Sequence, residues 1–436
     1  GHVGTDQEII MTAPAPAPAP AAAPRRAASR APLTTGSSRR WILVVTIVIS
    51  LVPLLASLEN LLLSSEVSPL LAASSAVVWA LYTIPFLIII RRIDFFEREP
   101  WISLVAAFLW GGFIAGGMAL MANDAIFDLV TVQGGVVAAQ DWGAAIAGPT
   151  TEELAKGLGV LLILMASPRR PRTALDGFVI GAVVGLGFQV IENFGYTMNT
   201  SAIEDDPSLA PLAQMFVIRG LIAGPFSHAV YTGIVGLGIG YLVTATDRSM
   251  LRRIGVALLA FIGAYAAHWF WNSPLLINQV SFLGSVLVKG AFTFGILIVG
   301  LRIARRRDAA FFSEGLSGVP DWLCSPAEQQ SLSTGKGRKR ARTAAKRAGG
   351  RPARRAMASL QRAQADLAVA VRVGDQQAAD NAVERIRAAR AVVPLPTAAP
   401  SPPEPVPPTT TQPPPITQPP ATEPDAWEPP TGPPVL

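Results

Sequence analysis

Between Trp41 and Ile303 the chain carries eight apolar runs, roughly 41–63, 70–90, 101–121, 143–166, 175–198, 217–243, 254–276 and 282–303. Each holds about 20 residues or more, and a helix rising ~1.5 Å per residue then covers the ~30 Å hydrocarbon core of a bilayer. In lipid the backbone polar groups must bond within their own segment, so these runs are expected as α-helices. The predicted fold class is all-α: a polytopic membrane helix bundle of about eight transmembrane helices. Composition agrees, with 50% hydrophobic and only 15% charged residues in 436. The single cysteine, Cys324, excludes an intrachain disulfide framework, and no CxxC or CxxH pair suggests a zinc knuckle.

The loop charges alternate. One set of segments carries Arg25, Arg26, Arg30, Arg39 and Arg40; Arg91, Arg92 and Arg98; Arg169, Arg170 and Arg172; Arg248, Arg252 and Arg253; and Arg302, Arg305, Arg306 and Arg307. The other set carries Glu66; Asp124, Asp128 and Asp141; and Glu204, Asp205 and Asp206, with Arg219 the first cation after them, at the edge of the sixth run. By the positive-inside rule both termini are expected in the cytoplasm, and the location is the cell membrane, multi-pass.

Residues 1–40 read as a disordered Pro/Ala/Arg-rich segment, and the first apolar run as an uncleaved anchor. The eight-span domain is expected over 41–305. A basic cytoplasmic linker should fill 306–355, with a short helix opened by the capping box of Ser325 and Glu328 around Pro326. Its run "GKGRKRARTAAKRAGGRPARR" (335–355) reads as solvated disordered chain ahead of a lipid-headgroup site, with nucleic-acid binding last. Residues 356–392 are Ala-rich with charges at helical spacing and predict a helical hairpin. The Pro-rich stretch 393–436 predicts a disordered tail that could serve a Pro-binding partner.

Ionisable residues inside spans are costly and therefore functional candidates. At ~1.5 Å per residue, Glu152 and Glu153 lie roughly 14 Å below the outer boundary, Glu192 about 9 Å, His228 roughly 16 Å, His268 about 12 Å and Asn272 about 6 Å. Four helices thus bring rare polar groups to one level in the outer half of the bilayer. Thr150-x-x-Glu153 also fits a capping box that would start a helix at 151, leaving Lys156 to pair with Glu152. Only 16 residues would then remain before "SPRRPR", and "WGAAIA" upstream would have no role, so a Pro149-kinked helix from about 143 is preferred. Gly177, Gly181 and Gly185, with Gly233, Gly236 and Gly240, predict close packing of the fifth and sixth spans, which would hold Glu192 and His228 near the fourth.

Carboxylates beside histidines in a low-dielectric cavity suit general-base activation of water, by Glu152 or Glu153, with His228 and Glu192 assisting. His268 and Asn272, at i,i+4, could donate to a developing oxyanion. The same Glu/His set could instead ligate a divalent metal, and the spacing does not choose between these.

The segments "RRIDFFEREPW" (91–101), "TEELAKGL" (151–158), "DGFVIGAVVGLGFQVIENFGY" (176–196), "HAVYTGIVGLGIGY" (228–241) and "HWFWNS" (268–273) together resemble the PrsW family of intramembrane proteases. That family is distantly similar to the CAAX prenyl endopeptidase/ABI superfamily. The resemblance spans roughly 40–305 and implies an intramembrane endopeptidase acting on a single-span membrane protein, typically an anti-sigma factor in bacteria. It implies Glu152 and Glu153 as paired catalytic glutamates, with Lys156 completing an EExxK pattern and Glu192, His228 and His268 at the later polar positions; joined to the residue reading above, the catalytic set is Glu152, Glu153, His228, His268 and Asn272. Lys156, Glu192 and Asn193 would support them, and a metal such as zinc would fall to Glu153, Glu192, His228 and His268. Lys156 stands where the wider superfamily has Arg, and Glu192 where its FxxxH motif has His. "FEREP" reads as a juxtamembrane charge cluster. Membrane lipids are expected partners and nucleic acid is not. The competing classes are a proton- or ion-coupled transporter, which should show an internal repeat, and a non-enzymatic scaffold with a recruiting tail.

Overall fold

The computed structural model describes residues 36–93, 99–167, 173–276 and 279–393. The N-terminal Pro/Ala segment, most of "FEREP", the "PRRPR" loop and the Pro-rich tail lie outside the described residues. Every regular element among the described residues is helical. The order is α1 (Gly36–Val67), α2 (Pro69–Ile93), α3 (Trp101–Leu109), a π-turn (Trp110–Ala115), α4 (Gly116–Ala166) and α5 (Ala174–Glu204). There follow α6 (Ala210–Met215), a second π-turn (Phe216–Ile222), a 3₁₀ turn (Gly224–Phe226), α7 (His228–Thr244), α8 (Met250–Asn272) and α9 (Phe282–Gly315). Past them come α10 (Pro326–Ser333), α11 (Gly335–Val373) and α12 (Gln376–Arg390).

Seven helical stretches among the described residues are long and apolar enough to cross a membrane, one of them the 66-residue run Trp101–Ala166. That run does not continue straight. Gly135 takes φ 85° and ψ 169°, a backbone that L side chains disfavour, and the helix reverses there. Thr151 Oγ1 donates to Asn123 Oδ1 at 2.5 Å, a pair that a straight helix would hold about 42 Å apart. The third and fourth expected runs are thus two arms of a helical hairpin. The segment 122–142, expected as a loop, is helical because the arms pack: the Gly143 backbone leaves room for the Phe127 ring.

The sixth expected run, 217–243, is broken rather than continuous. Pro225 has no N–H to give, and the chain passes through a π-turn and a 3₁₀ turn before α7 starts at His228. The carbonyls in the break find side-chain donors. Tyr82 Oη donates to Gly220 O at 3.0 Å, and Gln189 Nε2 to Tyr82 Oη at 3.1 Å.

The axis of the bundle is α5, with 94% of its central window buried, against 11% for α1. Its glycines make this depth of packing feasible. A Cβ at Gly177, Gly181 or Gly185 would strike the carbonyl oxygens of Gly236, Thr232 and His228 on α7, so the two backbones lie in direct contact. Gly236 and Gly240 complete that seam, whereas Gly233 faces the Phe178 ring. Large apolar side chains of α1, α2, α8 and α9, such as Leu55, Leu81, Leu259 and Val299, point outward, as lipid-facing positions should.

Beyond the apolar length of α9 a second apolar cluster gathers Phe312, Leu316, Leu323, Cys324, Leu332, Leu360, Leu367 and Ile386. The Ser325–Glu328 capping box is present, and Glu328 also takes Arg390 at 2.6 Å through both oxygens. The basic run 335–355, expected as disordered linker, is helical. Thr334 caps it, its Oγ1 accepting from Gly337 N at 3.0 Å, and Arg and Lys are good helix formers. The helix breaks at Gly349 and Gly350, and the arms fold together, with Gln361 Nε2 donating to Arg338 O at 3.3 Å. Tertiary packing, which the local composition does not report, makes the stretch helical.

Two outcomes follow. Gly181→Leu should cost about 1–3 kcal/mol through overpacking, read as a lowered Tm in detergent, whereas Gly295→Leu, which meets nothing within 4 Å, should not. Burial and the nearby Glu328 carboxylate push the Cys324 thiol up to about 12, so maleimide should leave it unlabelled near pH 8 until the protein unfolds.

Candidate active site

The second arm of α4 brings Glu152, Glu153 and Lys156 to the bundle centre. Lys156 follows Glu152 by four residues and Glu153 by three, so one ammonium reaches both carboxylates. Its Nζ lies 3.2 Å from Glu152 Oε2 and 2.7 Å from Glu153 Oε1, with Lys156 and Glu153 wholly buried. No helix begins here: Thr150 Oγ1 donates back to Ile146 O at 2.6 Å within a continuing helix, so the capping-box reading of this stretch falls. Trp110, in the first π-turn, fixes the arm from outside by donating from Nε1 to Ala155 O at 3.0 Å. Pro149 supplies no N–H to the turn before it, and there Asn272 Nδ2 donates to Ala144 O at 3.1 Å.

The two histidines arrive from α7 and α8. His228 stands at the start of α7 because the chain breaks at Gly224 and Pro225, and Gly185 lets its backbone lie against α5. His228 Nε2 is 2.8 Å from Glu192 Oε2, and His268 Nδ1 is 3.1 Å from Glu153 Oε1. A carboxylate can only accept, so each of these nitrogens carries the N–H. That fixes the tautomer of both rings in their neutral form and leaves a lone pair on His228 Nδ1 and on His268 Nε2. These lie 3.6 Å and 3.9 Å from Glu152 Oε2. His228 Nδ1 also accepts from Lys156 Nζ at 3.0 Å.

The two glutamates are therefore not equivalent. Glu153 is saturated: Lys156 and His268 hold one oxygen, and Thr232 Oγ1 donates to the other at 3.2 Å. Glu152 lines a cavity of about 650 Å³ between α1, α4 and α5, whose walls include Ser57, Asn123, Phe188 and Glu192. Its other oxygen packs over Gly148 together with Asn272 and His268: a Cβ there would stand 3.3 Å from Glu152 Oε1, 3.1 Å from Asn272 Nδ2 and 3.7 Å from His268 Nε2, so only glycine leaves these side chains their place.

Ligand atoms of Glu152, Glu153, His228 and His268 all lie within 4.8 Å of one another, a donor set that can hold a metal ion. Each imidazole has its remote nitrogen bonded to a carboxylate, which leaves His268 Nε2 a free inward lone pair; the lone pair of His228 Nδ1 is taken by Lys156 and would have to leave the ammonium to bind a metal. Glu192, expected among the ligands, stands one step out. It bonds His228 on one side and Arg219 on the other. Asn193, expected as support, is buried and accepts from Arg219 Nε at 2.8 Å.

Arg219, Thr232 and Tyr231 carry parts of the site that the sequence reading did not assign. Arg219 lies in the second π-turn, 3.7 Å over the Tyr196 ring, and Tyr231 stacks on His268 at 4.8 Å. A lone arginine at the edge of an apolar run, level with Glu192, was the available signal for the first. Nothing in the sequence marks Thr232 or Tyr231 apart from other small-residue and aromatic packing positions.

Fold and site together define an enzyme that works inside the membrane: a multi-pass helix bundle with buried carboxylates and histidines beside a cavity. Residues 99–301 match the model of the PrsW family of intramembrane metalloproteases. The first two spans precede the match. No curated protein and no solved structure matches the chain. The enzyme is thus an intramembrane protease, acting on membrane proteins.

Arg219→Gln should lower cleavage of a membrane substrate by about 10- to 100-fold, because Glu192 loses the charge that holds it on His228; Arg219→Lys should recover part of the loss.

Proposed function

We propose that this protease cuts single-span, membrane-anchored substrates of the anti-sigma-factor kind, with Glu152 as general base. The observation that carries the reading is the inequality of the two glutamates. Glu153 has both oxygens engaged, while Glu152 lines the cavity and faces both histidine lone pairs. Glu152 takes the proton of the attacking water. Glu153 and Lys156 act through position: Glu153 orients His268, and the ammonium pairs with both carboxylates.

The cavity that Glu152 lines would take the scissile peptide, with Glu152 accepting the water's proton. Asn272, whose amide nitrogen packs beside Glu152 over Gly148, would supply a donor for the developing oxyanion. His268 would join as an oxyanion donor only as the imidazolium. As the neutral ring it offers a lone pair, and it would then hold a metal together with His228 and the neighbouring carboxylates. Two imidazoles with carboxylate oxygens suit zinc, which would polarise the water and the carbonyl. The Arg-rich ends of the spans support cytoplasmic termini and a site in the outer half of the bilayer.

The test uses purified protein with a single-span substrate. Glu152→Gln should reduce cleavage by about 10²- to 10⁴-fold, with the fold retained. Cleavage by Glu152→Gln at the wild-type rate would sink the assignment of the base. Chelation should abolish cleavage and zinc should restore it; undiminished cleavage by a metal-stripped enzyme would remove the zinc reading.

A further inference from the structure

The hairpin of α11 carries a charge pattern that the protease site does not use. Residues 335–362 hold eleven lysines and arginines, no acid and no aromatic residue. Four acids of this part of the molecule pair with arginines outside that run: Glu328 with Arg390, Asp366 with Arg385, Glu314 with Arg372 and Glu384 with Arg387. Lys339, Arg340, Lys346, Arg347, Arg351 and Arg354 are exposed.

Packing against α9 sets the height of this hairpin. The Gly315 backbone lies against Ala368 O, so residue 368 is level with the far end of α9. Arg338 feels the charge of Arg305, about 15 Å nearer the apolar segment, and its carbonyl binds Gln361 on the other arm. Residues 361 and 338 are therefore closer to the bilayer than residue 368. The base of the hairpin therefore lies beside the basic end of α9, where that helix leaves its apolar run. Arg307 marks the boundary: it binds Asp247 at 2.8 Å in the α7–α8 turn and lies 4.5 Å over Tyr241. Burial and the charges of Arg342 and Arg305 hold the Arg338 guanidinium down at about 10.

We propose that the tip of the α11 hairpin is a docking surface for the anionic phospholipid headgroups of the leaflet from which α9 emerges. Charge complementarity supplies the attraction, and each Lys or Arg near a charged surface adds to it. Lys339, Arg340, Lys346 and Arg347 are already exposed and free to meet the headgroups. Nucleic acid is the poorer partner, since the stretch has no aromatic side chain on which a base could stack.

The test is hydrogen exchange over residues 340–358 of the full-length protein in nanodiscs. Phosphatidylglycerol mixed into phosphatidylcholine should slow exchange at least about fivefold relative to phosphatidylcholine alone, and about 0.5 M salt should cancel the difference. The variant with Lys339, Arg340, Lys346 and Arg347 all changed to glutamine should lose the difference. Its unchanged exchange over 360–390 would show an intact fold; if that region loosens, Lys346→Gln with Arg347→Gln alone should halve the effect or more. Equal exchange in the two lipids overturns the proposal. So does protection by duplex DNA in phosphatidylcholine nanodiscs that matches or exceeds the lipid effect.

Discussion

The ammonium of Lys156 is the centre on which the rest of the site depends. It reaches Glu152, Glu153 and His228 from one position, all within about a hydrogen-bond length and all buried. Removing one partner from such a buried set typically costs about 3–5 kcal/mol, because a charge is left without compensation. Lysine serves here because a flexible stem carries its compact charge to three acceptors at once. The Phe188 ring, 4.2 Å from the same nitrogen, closes one side of that position.

The architecture around this ion set reads as a means of bringing backbones close enough to reach it. Glycines on α5 remove the side chains that would hold α7 away, and α7 in turn starts at His228 because Gly224 and Pro225 break the run before it. The carbonyls freed by that break accept from Tyr82 and Gln189, and the second π-turn carries Arg219 to Glu192. A continuous helix over 217–243 would have placed His228 mid-helix, with its ring direction set by neighbouring turns. The broken helix frees it to stand between Glu192 and Lys156.

Outside the bilayer the same physics produced the opposite error in the sequence reading. Eleven like charges in a stretch of Ala and Gly suggest a solvated chain. The stretch is helical because Thr334 caps it, Gly349 and Gly350 let it fold back, and the second arm buries Leu360 and Leu367 beside Phe312 and Ile386. None of those partners is local to the basic run, so no local pattern could report them.

The sequence by itself determined the class of this protein. Apolar runs of bilayer length, the alternation of loop charge, and Glu152, Glu153, Glu192, His228 and His268 at one level follow from segment length and the cost of charge in lipid, which are local quantities. It also pointed to the glycine seam. Only the tertiary structure decided which glutamate meets the cavity, that Glu192 stands behind His228 rather than among the inner donors, and that Arg219 and Thr232 belong to the site. Those distinctions rest on rotations of about 100° between neighbouring helical residues and on breaks at Gly135 and Gly224–Phe226. They are settled by packing across helices, which adjacent residues do not encode.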